Sequence, residues 1–422
     1  MNKPNIIQHG RRIFFALAML SSVSVISAAT LCVNPGGTNG CYASIVAAVA
    51  AAAANDTIRV APGTYAEYVV IPKPLSIIGV NSIIEAMGRP NGFNVDGLNN
   101  PGLANVTIKG FTVQNANFEG IVATNCSFIR IWGNNVVGNN RKININNFTC
   151  PGIPSWETGE DFDCGEGIHL SGVSHATVAF NYVANNTGGI LLSDDTGATH
   201  DNLVSGNRVV DNPYDCGITL ASHPPYQGNT PFGLAHNTIY ANIARRNGTQ
   251  VPGAGAGVGI FDSLPGSRNN GNVVVGNTLT GNGLPGVTMH GHTPGQFMSD
   301  TIIAGNILSG NGADTDDAFT PGPTGVNVFS VSPARGTIVS QNIISGEQIA
   351  VAVNTPAEVD ANLNSFSTYG LNFGIDNITN KLVNATENYW GCPDGPGSPG
   401  CAGINGSNVL YIPFLRSAPP VP

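Results

Sequence analysis

A two-part unit recurs down this chain and restricts its possible folds more than any other feature. The first part is Gly, an aliphatic, a variable residue and usually a second aliphatic. It occurs as Gly120-Ile121-Val122-Ala123, Gly167-Ile168-His169-Leu170, Gly189-Ile190-Leu191-Leu192 and Gly217-Ile218-Thr219-Leu220. It returns as Gly259-Ile260-Phe261-Asp262, Gly286-Val287-Thr288-Met289 and Gly325-Val326-Asn327-Val328. The second part is Asn-x-aliphatic-x-x-Asn, starting at Asn134, Asn181, Asn207, Asn237, Asn277, Asn306 and Asn342, with Glu347 in the last place of the final copy. Successive second parts lie 47, 26, 30, 40, 29 and 36 residues apart. Self-similarity at this period is the signature of a solenoid. No copy is long enough for a helix, and aliphatic-x-aliphatic is the pattern of a short strand with alternate side chains inward. Strands that end at Asn or Gly end at residues tolerating a left-handed bend. The expected architecture is a coil of short parallel strands with an aliphatic interior. Repeated Asn side chains are expected to stack as an amide ladder, and loops of unequal length to leave the strands in register.

These copies resemble the repeats of right-handed parallel β-helix proteins of the pectin-lyase-like superfamily, the NosD-like proteins among them. The resemblance covers nearly all of the chain after its leader. It implies an all-β, single-stranded right-handed parallel β-helix. Ala43–Ala54 is an Ala-rich stretch expected to be the one helix, and the Asp56-Thr57-Ile58-Arg59-Val60-Ala61-Pro62-Gly63-Thr64-Tyr65 run follows it. This arrangement is similar to the N-terminal cap of many secreted β-helix proteins. A solenoid end exposes core and strand edge, so a cap is physically required. At the other end, Asn388-Tyr389-Trp390-Gly391 and a Pro/Gly loop resemble a C-terminal closure.

Met1 to Ala29 has basic residues, the apolar run Ile13 to Leu20, and Ser27-Ala28-Ala29, the layout of a secretory signal peptide. No later stretch is long and apolar enough to span a bilayer as a helix. The expected organisation is a leader over 1–29 and one β-helix domain over 30–422. Within that domain, the cap and first strands occupy 30–80, regular coils 105–350 and the closure 385–422. The expected location is the periplasm, cell surface or medium, and the expected state a monomer.

Removal of the leader takes three of the 17 basic residues and none of the 26 acidic ones, so the net charge moves from −9 to −12. This argues against nucleic acid as a partner, whose binding needs a basic face, and more weakly against polyanionic sugars unless a local patch or a cation bridges them. Asn (50) and Gly (54) supply the polar surface that charged residues usually provide, and amides suit the hydroxyls of a polysaccharide ligand. All eight cysteines follow the leader, and an even count in an exported chain indicates disulfides. The expected pairs are Cys32–Cys41, Cys150–Cys164 and Cys392–Cys401, each closing one loop, with Cys126 and Cys216 left over.

Function in such a coil resides in outward side chains of one strand column and in the loops beside it. The first outward column reads His169, Leu191, Thr219, Phe261, Thr288, Asn327, and the next Ser171, Ser193, Ala221, Ser263, His290, Phe329. Six places after each Gly stand Val173, Asp195, His223, Pro265 and His292. Neighbouring turns stack ~4.8 Å apart, so Asp195 and His223 are expected neighbours, with His290 and His292 two turns on and His169, His175 and His200 on the same side. His223 is the expected proton-transfer residue and Asp195 its partner, with His169, His290 and His292 in the catalytic set. Tyr226, Trp156, Asp215 and Phe261 are the expected substrate contacts. The insertion from Arg141 to Glu166 carries Trp156 and five acids, of which Asp161, Asp163 and Glu166 are the candidate ligands for Ca²⁺. The same acids are alternatively a glycosidase carboxylate pair.

The chain departs from known enzyme patterns of this fold. The Asn-Thr-Asp, Gly-His-Gly and Arg-Ile-Lys motifs of polygalacturonase-like hydrolases are absent. The pairs Arg141-Lys142 and Arg245-Arg246, which resemble nothing more specific than the basic residues of pectate-lyase-like enzymes, fall away from the histidines. The reading is an exported protein that cleaves a polysaccharide by lyase chemistry or epimerises it. The alternatives are a non-catalytic binding scaffold, polysaccharide-binding or NosD-like and metal-related, and a glycoside hydrolase.

Overall fold

A computed structural model describes residues 28–147, 149–157, 164–315, 320, 322–367 and 369–419. The leader expected over 1–29 therefore lies almost wholly outside the described residues. Strands stack in parallel from Thr30–Val33 to Val409–Leu410. The Gly-aliphatic strands form a twelve-strand sheet that includes Ile121–Thr124, Ile168–Ser171, Ile190–Ser193, Ile218–Ser222, Val258–Asp262, Val287–Gly291 and Thr324–Ser330. A larger sheet forms the other walls, and four short strands, Thr199–His200, Leu234–Ala235, Arg268–Asn270 and Phe297–Ser299, form a third face.

One turn shows how the sequence makes the coil. After Ile218–Ser222 the chain crosses a loop to Leu234–Ala235, turns at His236-Asn237, runs through Thr238–Tyr240, turns at Ala241-Asn242, runs through Ile243–Arg245 and turns at Arg246-Asn247. At each corner the first residue is left-handed (φ 55°, 53° and 53°) and the Asn after it is buried. Ile218, Leu220, Leu234, Ile239 and Ala244 point inward and are fully buried. The left-handed residue is thus the one before the Asn, and it need not be Gly or Asn.

The corner asparagines form three ladders, and this corrects the expected series. Asn181, Asn207, Asn242, Asn277, Asn306, Asn342, Asn364 and Asn388 are one column, linked by amide-to-amide bonds of 2.9–3.1 Å. Asn237 belongs instead with Asn202 and Asn272. Corners five residues apart each satisfy Asn-x-aliphatic-x-x-Asn, so the sequence pattern alone leaves the column ambiguous. With the true partners, the apparent spacings of 30 and 40 around this turn both become 35.

The second ladder runs from Asn139 through Asn186, Asn212, Asn247, Asn282 and Asn311 to Glu347. It explains the recurring Gly. A Cβ on Gly167 would lie 2.8 Å from the Asn186 amide nitrogen, and one on Gly217 the same distance from that of Asn247. The strand-head glycines are needed for close approach, not for a left-handed bend. On Gly189 a Cβ would stand 2.1 Å from the Gly217 carbonyl oxygen and 2.2 Å from Val209. Gly189→Ala is therefore expected to destabilise the coil by roughly 1–3 kcal/mol through overpacking, measured as a lower urea midpoint at unchanged m-value.

Glu347 ends this ladder, accepting from the Asn311 side chain at 3.0 Å. Burial pushes its carboxyl up to about 7 despite those bonds. A carboxyl raised in the folded state costs nothing below its unfolded value and destabilises progressively as pH rises towards its folded value. Glu347→Gln, which keeps the accepting oxygen, is expected to be neutral at pH 4 and stabilising by about 2–3 kcal/mol above pH 7. Denaturation curves at the two pH values check this.

The cap helix spans Ile45–Ala51, shorter than the expected Ala43–Ala54. Ser44 caps its start by accepting from the Ala47 N–H at 3.1 Å, and Ala52 is already extended. Ile45, Ala48 and Val49 are buried against the first strands. At the far end Trp390 is fully buried against Phe366, 5.3 Å between ring centroids. Cys32–Cys41, Cys150–Cys164 and Cys392–Cys401 are bonded, and Cys126 and Cys216 are free and buried.

Candidate functional site

The outward face of the twelve-strand sheet carries the candidate site. Its register places Gly259, not Phe261, between Thr219 and Thr288, and puts Phe261 between Ala221 and His290. The motif of that turn therefore begins at Gly257, two residues earlier than its sequence suggests. Phe261 and Ser263 consequently replace Ser263 and Pro265 in their columns. Phe261 lies over Gly259, packs with Cys216, Ala256 and Leu284, and meets His290 edge-on at 4.8 Å.

One polar group surrounds His169. Glu119 and Glu166 each precede a strand-head Gly on neighbouring turns, and the Gly120 N–H donates to the Glu166 carbonyl at 3.2 Å. Both side chains are buried on the outer side of the coil. The insertion returns over this face. It brings Trp156 to 5.7 Å from the His169 ring and Glu157 Oε1 to 3.5 Å from His169 Nδ1. His169 Nε2 lies 2.8 Å from Ser193 Oγ, Ser193 donates to Asp195, and Asp195 Oδ1 lies 3.2 Å from His223 Nδ1. The expected His223–Asp195 pair is thus formed. Both residues are buried, His223 being 1% exposed.

Electrostatics divides these acids. Burial pushes the Glu119 carboxyl up, and pushes Glu157 well up with added repulsion from Glu119 and Glu166. Burial also acts to raise Asp195, but the His223 charge and hydrogen bond, with help from His169 and Ser193, outweigh it and hold this carboxyl at about 2. Asp194 anchors the next loop, accepting from Ser222 Oγ at 3.0 Å and from the His223 N–H at 2.7 Å.

A second group lies two turns further along. His290 is bonded through Nε2 to Asp314, and its Nδ1 is 3.1 Å from Nε2 of His292. Asp314 and His290 are buried, whereas His292 is exposed. Phe329 follows His290 in the column, with the ring of His292 6.2 Å away. Next along the same sheet is a cleft of about 550 Å³ lined by Thr315, Thr320, Asn354, Asp376, Asn377, Ile378 and Asn405.

The remaining expected residues disperse. Tyr226 is 41% exposed and touches the site through its N–H, which donates to the Asp195 carbonyl at 2.7 Å. Asp215 is half-buried beside Cys216, whose thiol burial and the Asp215 charge push up. Asp161 and Asp163 lie outside the described residues, and Glu166 falls in the His169 group. His175 and His200 do not join the other histidines: they sit at a corner with Phe128, where His200 pairs with Asp201 at 2.7 Å. Arg246 is held by Asp211 through bonds of 2.6 and 2.7 Å. Glu119 and Asp314 are additional members. Glu119 had a sequence signal, since Glu-Gly-Ile occurs at 119–121 and again at 166–168. Asp314 had none, lying in a loop of acids and small residues.

A family model described as the right handed beta helix region matches residues 91–308, just over half of the chain. The chain belongs to this right-handed β-helix family. No curated protein matches the sequence. Among solved structures, the β-helix is similar to DFA-IIIase from Arthrobacter chlorophenolicus A6 without its lid (12% identity, 92% of this chain and 99% of that chain, TM-score 0.52). It is also similar to the catalytic unit of the thermostable GH87 alpha-1,3-glucanase from Streptomyces thermodiastaticus strain HF3-3 (12% identity, 89% and 66% covered, TM-score 0.51). At such identity the likeness is one of fold. No helix among the described residues is long and apolar enough to cross a membrane.

Proposed function

We propose that this β-helix is an exported carbohydrate-active enzyme that cleaves a polysaccharide laid along the twelve-strand sheet. The observation that carries the reading is the chain Asp314–His290–His292, which sets an exposed imidazole near an open, amide-lined cleft. A general base must reach the proton it removes. His292 meets that condition, whereas the buried His223–Asp195 pair does so only after the overlying loops move. In the lyase reading, His292 takes the proton α to a uronate carboxyl. The electrons form the C4–C5 double bond, and the C4–O bond breaks with the leaving oxygen reprotonated. Asp314 orients His290, and His290 sustains the charge that His292 gains.

One observation favours hydrolysis as the second reading. The cleft lining contains no Lys or Arg among the described residues to neutralise a uronate carboxylate, but does contain Asp376, whose carboxyl burial pushes up. A raised carboxyl is suited to general-acid work on a neutral sugar. The test is a panel of acidic and neutral polysaccharides, followed by unsaturated-uronate absorbance and by new reducing ends. Absorbance supports the lyase reading. Reducing ends without absorbance select hydrolysis, and neither signal, with retained binding of a polysaccharide, replaces both with a binding scaffold.

A further inference from the structure

We infer that Glu119, Glu157, Glu166 and His169 form a binding site for one divalent first-row transition-metal ion of the Zn²⁺ or Mn²⁺ class. One ligand atom from each residue lies within 4.8 Å of all the others, and all four residues are buried. Bonds of about 2.0–2.2 Å to four ligands need atoms closer than that, so an ion would draw the group in by roughly 1 Å.

Three observations point to an ion instead of a group of acids that happen to be close. Glu119 is fully buried, and neither of its carboxylate oxygens meets a donor at ordinary hydrogen-bond distance; its side-chain neighbour is the Glu157 carboxyl. Carboxyls packed this closely in a dry pocket cannot all ionise without a cation among them, and no Lys or Arg among the described residues pairs with Glu119 or Glu157. The second observation is the imidazole. Ser193 has one hydroxyl proton and gives it to Asp195, so its oxygen accepts from His169 Nε2–H. The Nδ1 lone pair of His169 is then turned to the side of Glu157. A metal-ligating His fixed through its other N–H by a polar partner is the usual outer-shell arrangement. The third is construction. Glu119 and Glu166 hold equivalent positions on successive turns, and the insertion that delivers Glu157 is closed at its base by Cys150–Cys164. The donor set of three carboxylates and one imidazole suits a transition ion, since Ca²⁺ prefers six to eight oxygens. This differs from the Ca²⁺ set of Asp161, Asp163 and Glu166 expected from the sequence.

The test is binding, which is independent of turnover at His292. The purified protein is dialysed against a chelator and titrated calorimetrically with ZnCl₂, MnCl₂ and CaCl₂ in separate runs, with bound metal counted by mass spectrometry. The expected result is one Zn²⁺ or Mn²⁺ per chain and a higher Tm on binding. Glu119→Gln, which keeps shape and removes one charge, is expected to weaken binding by roughly 100-fold or more while leaving the metal-free protein as stable or more so. His169→Gln, checked for an unchanged circular dichroism spectrum, is expected to weaken it likewise. Wild-type protein that takes up neither Zn²⁺ nor Mn²⁺, or Glu119→Gln protein that binds as tightly as wild type, overturns the assignment. Uptake of Ca²⁺ alone overturns the ion class.

Discussion

His292→Ala lowers kcat by roughly 10²–10⁴-fold, the range that one positioned proton-transfer group contributes, while leaving circular dichroism and the urea midpoint unchanged. The fold is spared because His292 is exposed, with the rings of His290 and Phe329 beside it. Asp314→Asn and His290→Gln act through His292, so they lower kcat with less effect on KM. The double variant His292→Ala, Asp314→Asn is then little worse than His292→Ala alone, because residues acting as one unit are not additive. His223→Ala discriminates further. If His223 is instead the reacting base under a movable cover, His223→Ala shows the roughly 10²–10⁴-fold loss and His292→Ala does not. An inactive His223→Ala protein beside a fully active His292→Ala protein would move the chemistry to the Asp195 pair.

Asn207→Ala destabilises the coil by about 3–6 kcal/mol. The Asn207 amide donates to Asn242 Oδ1 and to the Val178 carbonyl, both at 2.9 Å. Its oxygen accepts from the backbone and side chain of Asn181, at 2.9 and 3.0 Å. Alanine removes all four bonds and leaves the partners buried without water. Each orphaned group costs about 1–3 kcal/mol, partly relieved by relaxation. In a solenoid the turns are coupled mainly to their neighbours, so the loss is expected to uncouple the stack locally. Hydrogen exchange should show protection falling first in Thr177–Ala179, Leu203–Ser205 and Thr238–Tyr240. A two-state urea curve with a midpoint within error of wild type would refute the ladder's role.

His223 and Phe261 differ in how far their places in the coil follow from the sequence. His223 and Asp195 were placeable because Gly189 and Gly217 mark their turns without ambiguity, and the six-residue offset from each Gly then brings them together. At Phe261 two glycines, Gly257 and Gly259, both precede an aliphatic. The pattern could not choose between them, and backbone pairing with Thr219 and Thr288 did. The same ambiguity moved Asn237 to another ladder. His175 and His200 share composition with the other histidines but face another corner, since the loop between strand and corner varies in length from turn to turn.

The amino-acid sequence by itself determined the rung: short aliphatic strands, Asn corners, Gly at each strand head, a capped start and three loop-closing disulfides. These are local preferences, and each is satisfied within one turn or between a turn and its next copy. The tertiary structure alone decided which copies stack in register. It also brought Glu157 across from the insertion to Glu119, Glu166 and His169, and Asp314 to His290. Such meetings depend on the paths of irregular loops, whose lengths carry no periodic signal, so they appear only once the backbone hydrogen bonds of the stack have set every turn in place.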